Sequence, residues 1–521
     1  MVLGSSVNLR RWATLGGSTA VLLTVLGAIW IATAAPASGA GDSAAEPTSC
    51  IPSLVEPFHS PAYADTPWPT EHADAWRTHA AATGLPADLD RVRLVTRSAE
   101  LPREPVWGYD GTGGKIYVFG GSPYLLDMFT EEMLGASRAR IPFLTARTLK
   151  ASEQVTPYLA QVDARTLRTK VLPLTGGTLI NYTGGALVHS NGFVYAVARG
   201  VLYKIDPKGF EIVKQVELPA APDENGEPNP KTTYNGIAAT ADGELILKGW
   251  ASSGGGEEAP GQLLRVNPID LSFKGGPVTG ISSARMAIVA GNGPETLYLP
   301  SSSEAVRFTI AGSKFLPDSS WTAEYLGRGD TQASSDVYMG NGVLFANNTS
   351  PQARTPARVF AKGAEQNSEL RSYQAFAGRR PGWNFFMMVG DPYRTGIAAV
   401  GDQATGRVSG FLACDGGSAA QKLWENDAIQ SSAGMAINYE AGQLYTDDRD
   451  CNRKGRCRLY LVVLDLRSGS ELARVRVRGT KPSMSQIFIG RDAVYYLATQ
   501  TGNRNGYLTR VTAVERRRAP R

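Results

Sequence analysis

The chain has 521 residues, of which 42% are hydrophobic and 19% charged, and a formal net charge of +5 at pH 7. This composition belongs to an ordinary globular protein with enough apolar residues for a large core, and it excludes a chain that is disordered throughout. The positive charge is modest for this length and forms no basic stripe, so we expect no nucleic-acid partner. So long a chain often has several domains, but a closed repeat fold can reach this length as one unit.

The first 40 residues are typical of an export signal. Arg10 and Arg11 precede an uncharged apolar run, Val21 to Ala35, which is followed by small residues up to Ala40. Extended over 16–36, the run approaches the ~20 residues that span a bilayer. The segment therefore predicts a signal peptide or a signal anchor, and a protein that is secreted or anchored outside the cytoplasm. The arginine pair also suggests twin-arginine export, although ordinary secretion fits the flanking residues better.

Residues 41–91 form a predicted N-terminal arm. The stretch EHADAWRTHAAATG, from Glu71 to Gly84, has the pattern of a short amphipathic helix. We expect this helix to pack on the outside of the protein, with His72 and His79 as surface residues.

A hairpin-like phrase recurs along the rest of the chain. Each copy has a polar entry, a short apolar run, a glycine-containing turn and a second β-rich run, which is the pattern of a β-hairpin. Most copies lie about 50 residues apart, and an insertion that includes LLDMFTEEMLGASRA separates the first copy from the second. The glycines that mark the turns are Gly114, Gly192, Gly243, Gly293, Gly342, Gly390, Gly442 and Gly490.

A second pair of strands follows the hairpins, as in LYKIDPKGFEIVKQVEL and YLVVLDLRSGSELARVRV. An Asp or Asn at its turn can cap the turn through the backbone. Four short antiparallel strands in each unit, without helices between them, make a propeller blade. The sequence therefore predicts an all-β, eight-bladed β-propeller, with seven blades as the alternative. The capping residues are Asp163, Asp206, Asn267 and Asp465.

The eighth unit supplies one strand too few. The run Val92–Ser98 can complete it, which would pair the two ends of the repeat region and remove exposed sheet edges. The propeller then spans 92–515, and 516–521 form a basic tail. We expect the tail to be solvated, with contact to an acidic envelope surface as the alternative.

The four cysteines of an exported chain are compatible with two disulfides. Cys451 and Cys457 flank CNRKGRC, a turn-like loop between two apolar runs, and are the best-supported pair. Cys50 and Cys414 then remain as partners, which would attach the arm to the propeller; two free buried thiols are the alternative.

Several segments resemble a known group of propellers. TTYNGIAATADGELILKG and LYKIDPKGFEIVKQVEL are similar to repeats of the secreted bacterial propellers of the pyrroloquinoline-quinone-binding-like superfamily. TPWPTEHADAWRT resembles the Trp-Pro-x-x-His-x-Asp segment that often introduces such domains. The resemblance covers about residues 66–515 and implies an exported propeller; many members bind no quinone and serve as scaffolds. A quinone-dependent dehydrogenase is disfavoured, because the turns lack the Gly-Lys-x-x-Trp docking motif and no two cysteines are adjacent.

A second resemblance concerns metal binding. REPVWGYDGTGGKIYVF is similar to the Glu-Gly-Pro-Val-Trp opening of gluconolactonase-like six-bladed propellers, and YNGIAATADG to their Pro-Asn-Gly-x-x-x-x-x-Asp-Gly segment. It implies that Glu104 and Asn235 are metal ligands at the central channel, where calcium could polarise a lactone carbonyl. The glycine after Glu104 is missing and the repeats number eight, so a metal-assisted hydrolase is the alternative function.

Residues about eight positions before each hairpin glycine should converge on one mouth of the channel, because the innermost strand of each blade begins there. Arg285 and Asp336 are expected to form either an ion pair across neighbouring blades or a site for a polar ligand. Trp383, at the channel end of the apolar run GWNFFMMVGDPYRTG, could stack on that ligand. The predicted ligand-binding residues are Asn235, Arg285, Asp336, Trp383 and Asn384.

The sequence contains no nucleophilic triad. His189, the only histidine of the repeat region, lies beside the Ser190-Asn191-Gly192 turn, away from the predicted mouth. We therefore expect a monomeric binding or scaffolding module at the cell envelope, whose partner is a small polar ligand or an envelope protein. The sequence assigns no catalytic residue, and calcium is the one cofactor that it suggests. The N-terminal apolar segment is also compatible with attachment of the protein to a membrane. Whether the protein is also an enzyme stays open.

Overall fold

The computed structural model describes residues 50–121, 155–179, 184–223, 225–251, 261–279, 281–282, 284–290, 293–301, 304–326, 330–331, 333, 335–349, 357–378, 386–452, 457–500 and 505–516. Within these residues the principal strands form eight four-stranded antiparallel sheets in a ring. The protein is an eight-bladed β-propeller, which confirms the fold predicted from the repeat.

The strands are numbered in chain order, and two of them precede the first blade: β1 (Ala80–Ala81) and β2 (Val92–Arg103). From the channel outwards, the first blade consists of β3 (Pro105–Gly111), β4 (Lys115–Gly120), β5 (Tyr158–Asp163) and β6 (Thr169–Pro173). The second consists of β7 (Gly185–Val188), β8 (Val194–Ala198), β9 (Val201–Asp206) and β10 (Glu211–Glu217). The third consists of β11 (Thr232–Ala239), β12 (Leu245–Ala251), β13 (Gly261–Val266) and β14 (Phe273–Val278).

The fourth blade consists of β15 (Ala287–Val289), β16 (Thr296–Pro300), β17 (Glu304–Ala311) and β18 (Lys314–Pro317), with β19 (Ala323–Glu324) beside β17. The fifth consists of β21 (Asp336–Tyr338), β22 (Gly342–Ala346), β24 (Arg358–Gly363) and β25 (Leu370–Gln374), and β20 (Asp330–Thr331) pairs with β23 (Asn348–Thr349).

The sixth blade consists of β26 (Phe386–Asp391), β27 (Ile397–Asp402), β28 (Val408–Cys414) and β29 (Ala419–Asn426). The seventh consists of β30 (Ala436–Asn438), β31 (Gln443–Cys451), β32 (Cys457–Asp465) and β33 (Glu471–Val477). The eighth contains β34 (Lys481–Gly490), β35 (Ala493–Thr499) and β36 (Asn505–Glu515), followed by β2. The described residues also include short 3-10 turns at Thr112–Gly114 and Asp415–Gly417.

Burial along the strands follows their position in a blade. Every residue of β8 (VYAVA) is buried, because each blade packs between two others and the inner strands are covered on both faces. The outermost strand β10 (EIVKQVE) is mostly exposed.

The predicted turn chemistry is largely confirmed. Asp163 Oδ1 accepts hydrogen bonds from the backbone N–H groups of Arg165 and Thr166, and the same kind of turn occurs at Asp206, Asn267 and Asp465. In the sixth blade the predicted hairpin glycine is wrong. Gly390 lies inside β26, and the turn residue in the left-handed region is Gly396, with φ of 68°.

The ring closes between the two ends of the repeat region. Strand β2 pairs antiparallel with β36, from Val92 opposite Glu515 to Arg103 opposite Asn505. The predicted closing strand is therefore confirmed, and it is longer than Val92–Ser98. Because β2 covers the outer edge of β36, the last blade has four strands, like the other blades.

Both predicted disulfides are present. Cys451 and Cys457 face each other at the end of the β31–β32 hairpin, and Cys50 is joined to Cys414 at the end of β28. The second bond attaches the arm to the sixth blade, as the pairing by elimination predicted.

The helix predicted over Glu71–Gly84 is wrong. Apart from the two-residue strand β1, this stretch consists of turns and irregular backbone. Ala73, Arg77 and His79 have φ of 72°, 62° and 54°, values that a right-handed helix cannot contain. The apolar residues of this stretch have a helix-like spacing, but no helix forms because the backbone hydrogen-bonds to the propeller strands.

Several predictions concern residues outside the described part of the chain. These are the export segment over 1–40, the insertion around 122–154, Trp383 and Asn384 at the predicted mouth, and the tail from 517 onward. In the part of the chain that the structure covers, no helix has the length and apolar character needed to cross a membrane.

Candidate functional site

The arm runs inside the central channel and touches every blade. Its carbonyl groups accept hydrogen bonds from the innermost strands in blade order: Trp68 from Asp110, Pro69 from Val188, Ala75 from Ile288, Trp76 from Tyr338, Thr78 from Gly390 and His79 from Ile437. Side chains of the arm form the hydrogen bonds to the two remaining blades: Tyr63 Oη accepts from Ala239 N–H, and Thr83 Oγ1 donates to the Gly490 carbonyl. The segment from Tyr63 to Thr83, here called the channel segment, therefore contacts all eight blades, and from Trp68 onward its backbone contacts follow the order of the blades.

The arm enters from one particular face of the ring. Strands alternate in direction, so the turn between the first two strands of every blade lies at one face, which we call the turn face; examples are 189–193, 392–396 and 491–492. Cys50 is bonded beside that face, Val55 N–H donates to the Pro392 carbonyl, and Ser190 N–H donates to the Ala62 carbonyl.

The opposite face carries the connections from one blade to the next, and we call it the loop face. Most of these connections are longer than the turns. Their described parts are residues 174–179 with 184, 218–223 with 225–231, 279, 281–282 and 284–286, 318–326 with 330–331, 333 and 335, 375–378, and 427–435.

Two buried ion pairs join the channel segment to the channel wall. Arg285 Nε lies 3.1 Å from Glu71 Oε2, and Arg77 Nε lies 2.9 Å from Asp336 Oδ1. All four side chains are at most 7% exposed. The arm thus supplies the counter-charge for a cation and for an anion of the wall. Together with Asn235 and Lys248, these four residues form what we call the channel cluster.

Lys248, on β12, is the third basic side chain of the cluster. Its Nζ donates to Asn235 Oδ1 at 2.7 Å and to the Ser282 carbonyl at 2.7 Å. Burial, with repulsion from Arg285 and Arg77, holds the pKa of Lys248 well below its usual value. The two hydrogen bonds are compatible with either protonation state, because a neutral amine can also donate them.

The carboxylic acids of the cluster titrate near neutrality. Burial raises the pKa of Glu71 to about 7, although Arg285, Arg77 and Lys248 act to lower it. Burial likewise raises the pKa of Asp336 to about 6 against the opposing effect of Arg77. The loss of hydration therefore outweighs the attraction of the paired cations.

His72 and His79, predicted on the surface, are each 3% exposed and lie in the channel. The imidazoles hydrogen-bond to each other through His72 Nδ1 and His79 Nε2, and His79 also bonds to the Met435 backbone. Trp68 and Trp107 pack edge-on against them, with ring centroids 5.9 and 5.3 Å away. Burial, followed by repulsion from Arg77, lowers the pKa of His79 to about 3, so the pair is neutral at physiological pH.

The Glu71 carboxylate lies in a cradle that requires a glycine. A Cβ at Gly185, the first residue of β7, would be 1.8 Å from Glu71 Oε1. Arg285, which holds the other oxygen, lies over the Trp107 ring at 4.9 Å from its centroid. A cavity of about 20 Å³ adjoins Glu71, His72 and Arg285. This volume is enough for one water molecule.

The predicted site residues have different outcomes. Asn235, Arg285 and Asp336 are all members of the channel cluster, but Arg285 and Asp336 each pair with an arm residue. Trp383 and Asn384 lie outside the described residues. Sequence reasoning missed Glu71, Arg77 and Lys248. The signal that could have found the first two was the segment TPWPTEHADAWRT, whose charged residues were assigned to an external helix.

The two residues predicted as metal ligands contact different groups. Glu104 lies at the junction of β2 and β3; burial raises the pKa of Tyr158, and the charge of Glu104 adds to that rise. Asn235 Oδ1 instead accepts the hydrogen bond from Lys248 Nζ. Among the residues that the structure covers, no group of three His, Cys, Asp or Glu side chains is placed to hold a metal ion.

The channel cluster does not fit a quinone cofactor. Cofactor pockets usually have volumes of about 300–1,000 Å³, whereas the cavity beside Glu71 measures about 20 Å³. The described cysteines form the Cys50–Cys414 and Cys451–Cys457 bonds, and neither joins adjacent residues.

No protein-family model matches the sequence, and no curated protein matches it either. Solved structures do match. The quinohemoprotein alcohol dehydrogenase from Comamonas testosteroni is 12% identical with a TM-score of 0.50, over 87% of this chain and 81% of that chain. The WD40 domain of SCAP from fission yeast is 10% identical with a TM-score of 0.45, over 81% and 98%. Sqt1 from Saccharomyces cerevisiae is 10% identical with a TM-score of 0.46, over 80% and 98%. The first of these similarities supports the propeller fold alone.

Proposed function

We propose that this protein is an exported propeller of the quinone-binding-like type that acts as a binding or scaffolding module at the cell envelope. The observation that carries the proposal is the occupied channel. The metal-assisted alternative places its metal ligands at the central channel, and here the channel holds the chain's own residues 63–83, bonded to all eight blades. The outer surfaces then remain for recognition.

The cysteine chemistry supports export. Disulfides form and persist in oxidising compartments outside the cytoplasm, and all four cysteines are in the two bonds. The arginine pair and the apolar run of the first 40 residues point to the same location. The proposal includes either release of the protein or its retention at the membrane through the apolar run.

The loop face is the surface we assign to the partner. Recognition residues are concentrated on loops that a rigid scaffold positions, and the long connections between blades all lie there. The turn face is partly covered by the arm, through contacts such as Val55 with Pro392. Trp383 and Asn384, which lie outside the described residues, stay sequence-based predictions for contact with a small polar or protein ligand.

Site-specific photo-crosslinking in cells that export the full chain tests this proposal. A crosslinking amino acid is placed at Glu227 or Asp427 on the loop face, and at Lys208 or Asp492 on the turn face as matched controls; all four residues are exposed. We expect one envelope protein to be trapped from both loop-face positions and from neither control, and to bind the purified propeller with a stoichiometry of one. Trapping at the turn face alone, or no binding by the purified partner, would contradict the proposal.

A further inference from the structure

We propose that the channel wall is a receptor for a carboxyl group, and that Glu71 of the arm is its intramolecular ligand. The wall residues that form the receptor are Gly185, Lys248 and Arg285. The ligand class is a small monocarboxylic acid or the acidic side chain of a peptide. This site goes beyond the proposed partner surface, because it lies inside the ring and not on the loop face.

The geometry around Glu71 is that of a bound ligand. Arg285 Nε approaches Oε2 at 3.1 Å, and the guanidinium is itself held over the Trp107 ring. On the other side, the missing side chain of Gly185 leaves the space that Oε1 fills. Charge-assisted contacts of this kind are among the stronger polar interactions in proteins.

The charge of the wall is suited to an acidic group. Without the channel segment, Arg285 would lose the carboxylate with which it forms its buried ion pair. Lys248 interacts electrostatically with Glu71 and Asp336 as well as with the two arginines. A carboxylate from another molecule restores the partner of Arg285, and a chloride ion or a neutral amide does not reproduce its size and charge together.

The site accepts both protonation states near neutrality. Burial raises the pKa of Glu71 to about 7 while Arg285 lowers it. At pH 6 the neutral acid is therefore the main form of the bound group, and at pH 8 the carboxylate is. Oε1 has no hydrogen-bond partner among the described residues. Glu71 borders the small cavity, which has room for a water molecule beside the carboxyl group.

Chemical rescue tests the receptor directly. The substitution Glu71→Ala removes Cγ, Cδ and both Oε atoms, which are the heavy atoms of one acetate ion. We expect Glu71→Ala to lower Tm and saturating sodium acetate to raise it again by roughly 1–3 °C, relative to sodium chloride at the same ionic strength. Glu71→Gln, which fills the space, and the double variant Glu71→Ala/Arg285→Ala, which lacks the main donor, should show no specific effect of acetate.

Each outcome decides the proposal. If Glu71→Ala does not fold in chloride, refolding is compared in acetate and in chloride: recovery in acetate alone supports the receptor, and failure in both overturns it. An acetate effect of equal size in all variants, or none in Glu71→Ala, also overturns it. The photo-crosslinking result is independent, so the loss of one proposal leaves the other standing.

Discussion

Arg77 of the arm and Asp336 at the start of β21 form an ion pair with an Nε–Oδ1 distance of 2.9 Å, and both side chains are at most 4% exposed. The two residues are far apart in the sequence, so the pair fixes the channel segment to the fifth blade. Because removal of one partner leaves a charge buried without compensation, such pairs are costly to break.

The first prediction concerns this pair. Arg77→Met should lower the free energy of unfolding by about 3–5 kcal/mol, because Asp336 stays buried without its cation. The double variant Arg77→Met/Asp336→Asn should be less destabilised than the single variant, since no unpaired charge remains. Urea unfolding followed by tryptophan fluorescence measures both. Equal losses in the single and double variants would contradict the buried pair.

The second prediction concerns pH. The pKa of Glu71 is about 7 in the folded chain, against an ordinary value of 4.5. Between these values the native state binds more protons than the unfolded state, so the contribution of Glu71 to stability falls as pH rises from 4.5 to 7. The difference in unfolding free energy between wild type and Glu71→Gln should therefore fall by up to about 1.4 kcal/mol per pH unit.

Urea titrations at several pH values from 5 to 8 measure that difference. The contribution of His79 to stability changes with pH in the opposite direction. Its pKa of about 3 is depressed from 6.5, so this contribution is lost as pH falls below 6.5. Both wild type and Glu71→Gln contain His79, so its contribution cancels in the difference between their unfolding free energies. A difference that is constant with pH, or that grows with pH, would rule out a raised pKa for Glu71.

The third prediction compares the disulfides. The entropy of loop closure gives a stabilisation of about 2 kcal/mol for the short Cys451–Cys457 loop and about 6 kcal/mol as an upper value for the Cys50–Cys414 loop, whose ends are 364 residues apart. Cys50→Ser/Cys414→Ser should therefore melt at a lower temperature than Cys451→Ser/Cys457→Ser. Calorimetry of the two double variants measures this order, and the reverse order would show that the arm is held without its disulfide.

The fourth prediction concerns closure. Deletion of 41–60 removes Cys50 and the part of the arm outside the channel, and should leave a soluble protein with a lowered Tm. Deletion of 41–103 also removes the channel segment and β2, which exposes the edge of β36 and should cause aggregation. Size-exclusion chromatography separates the two results. A monomeric, cooperatively melting product of the longer deletion would contradict the pairing of β2 with β36.

The repeat made the ring predictable from sequence. Glycine turns such as those at Gly192 and Gly243 are set by local chemistry, because φ is near +90° in both. The closing strand Val92–Ser98 followed from counting strands, and the pairing of Cys50 with Cys414 from elimination.

The route of the arm was not predictable in the same way. The spacing of Ala73, Trp76 and Ala80 resembles a helix, and nothing near them in sequence argues against one. The carbonyls of Ala75 and Trp76 bond to Ile288 and Tyr338, which are distant in the chain. Arg285, the partner of Glu71, is also distant in the sequence. The charged residues of the stretch were therefore interpreted as the solvated face of a helix. Local patterns carry no information about contacts of this range.

Hydrogen exchange tests the central claim, that the arm fills the channel, most directly. The backbone N–H groups of Ile288, Tyr338, Gly390 and Ile437 donate to carbonyls of the channel segment. If the arm fills the channel, these amides exchange as slowly as those that pair neighbouring strands within a blade. Exchange within seconds at all four positions in the folded, disulfide-intact protein would contradict the account.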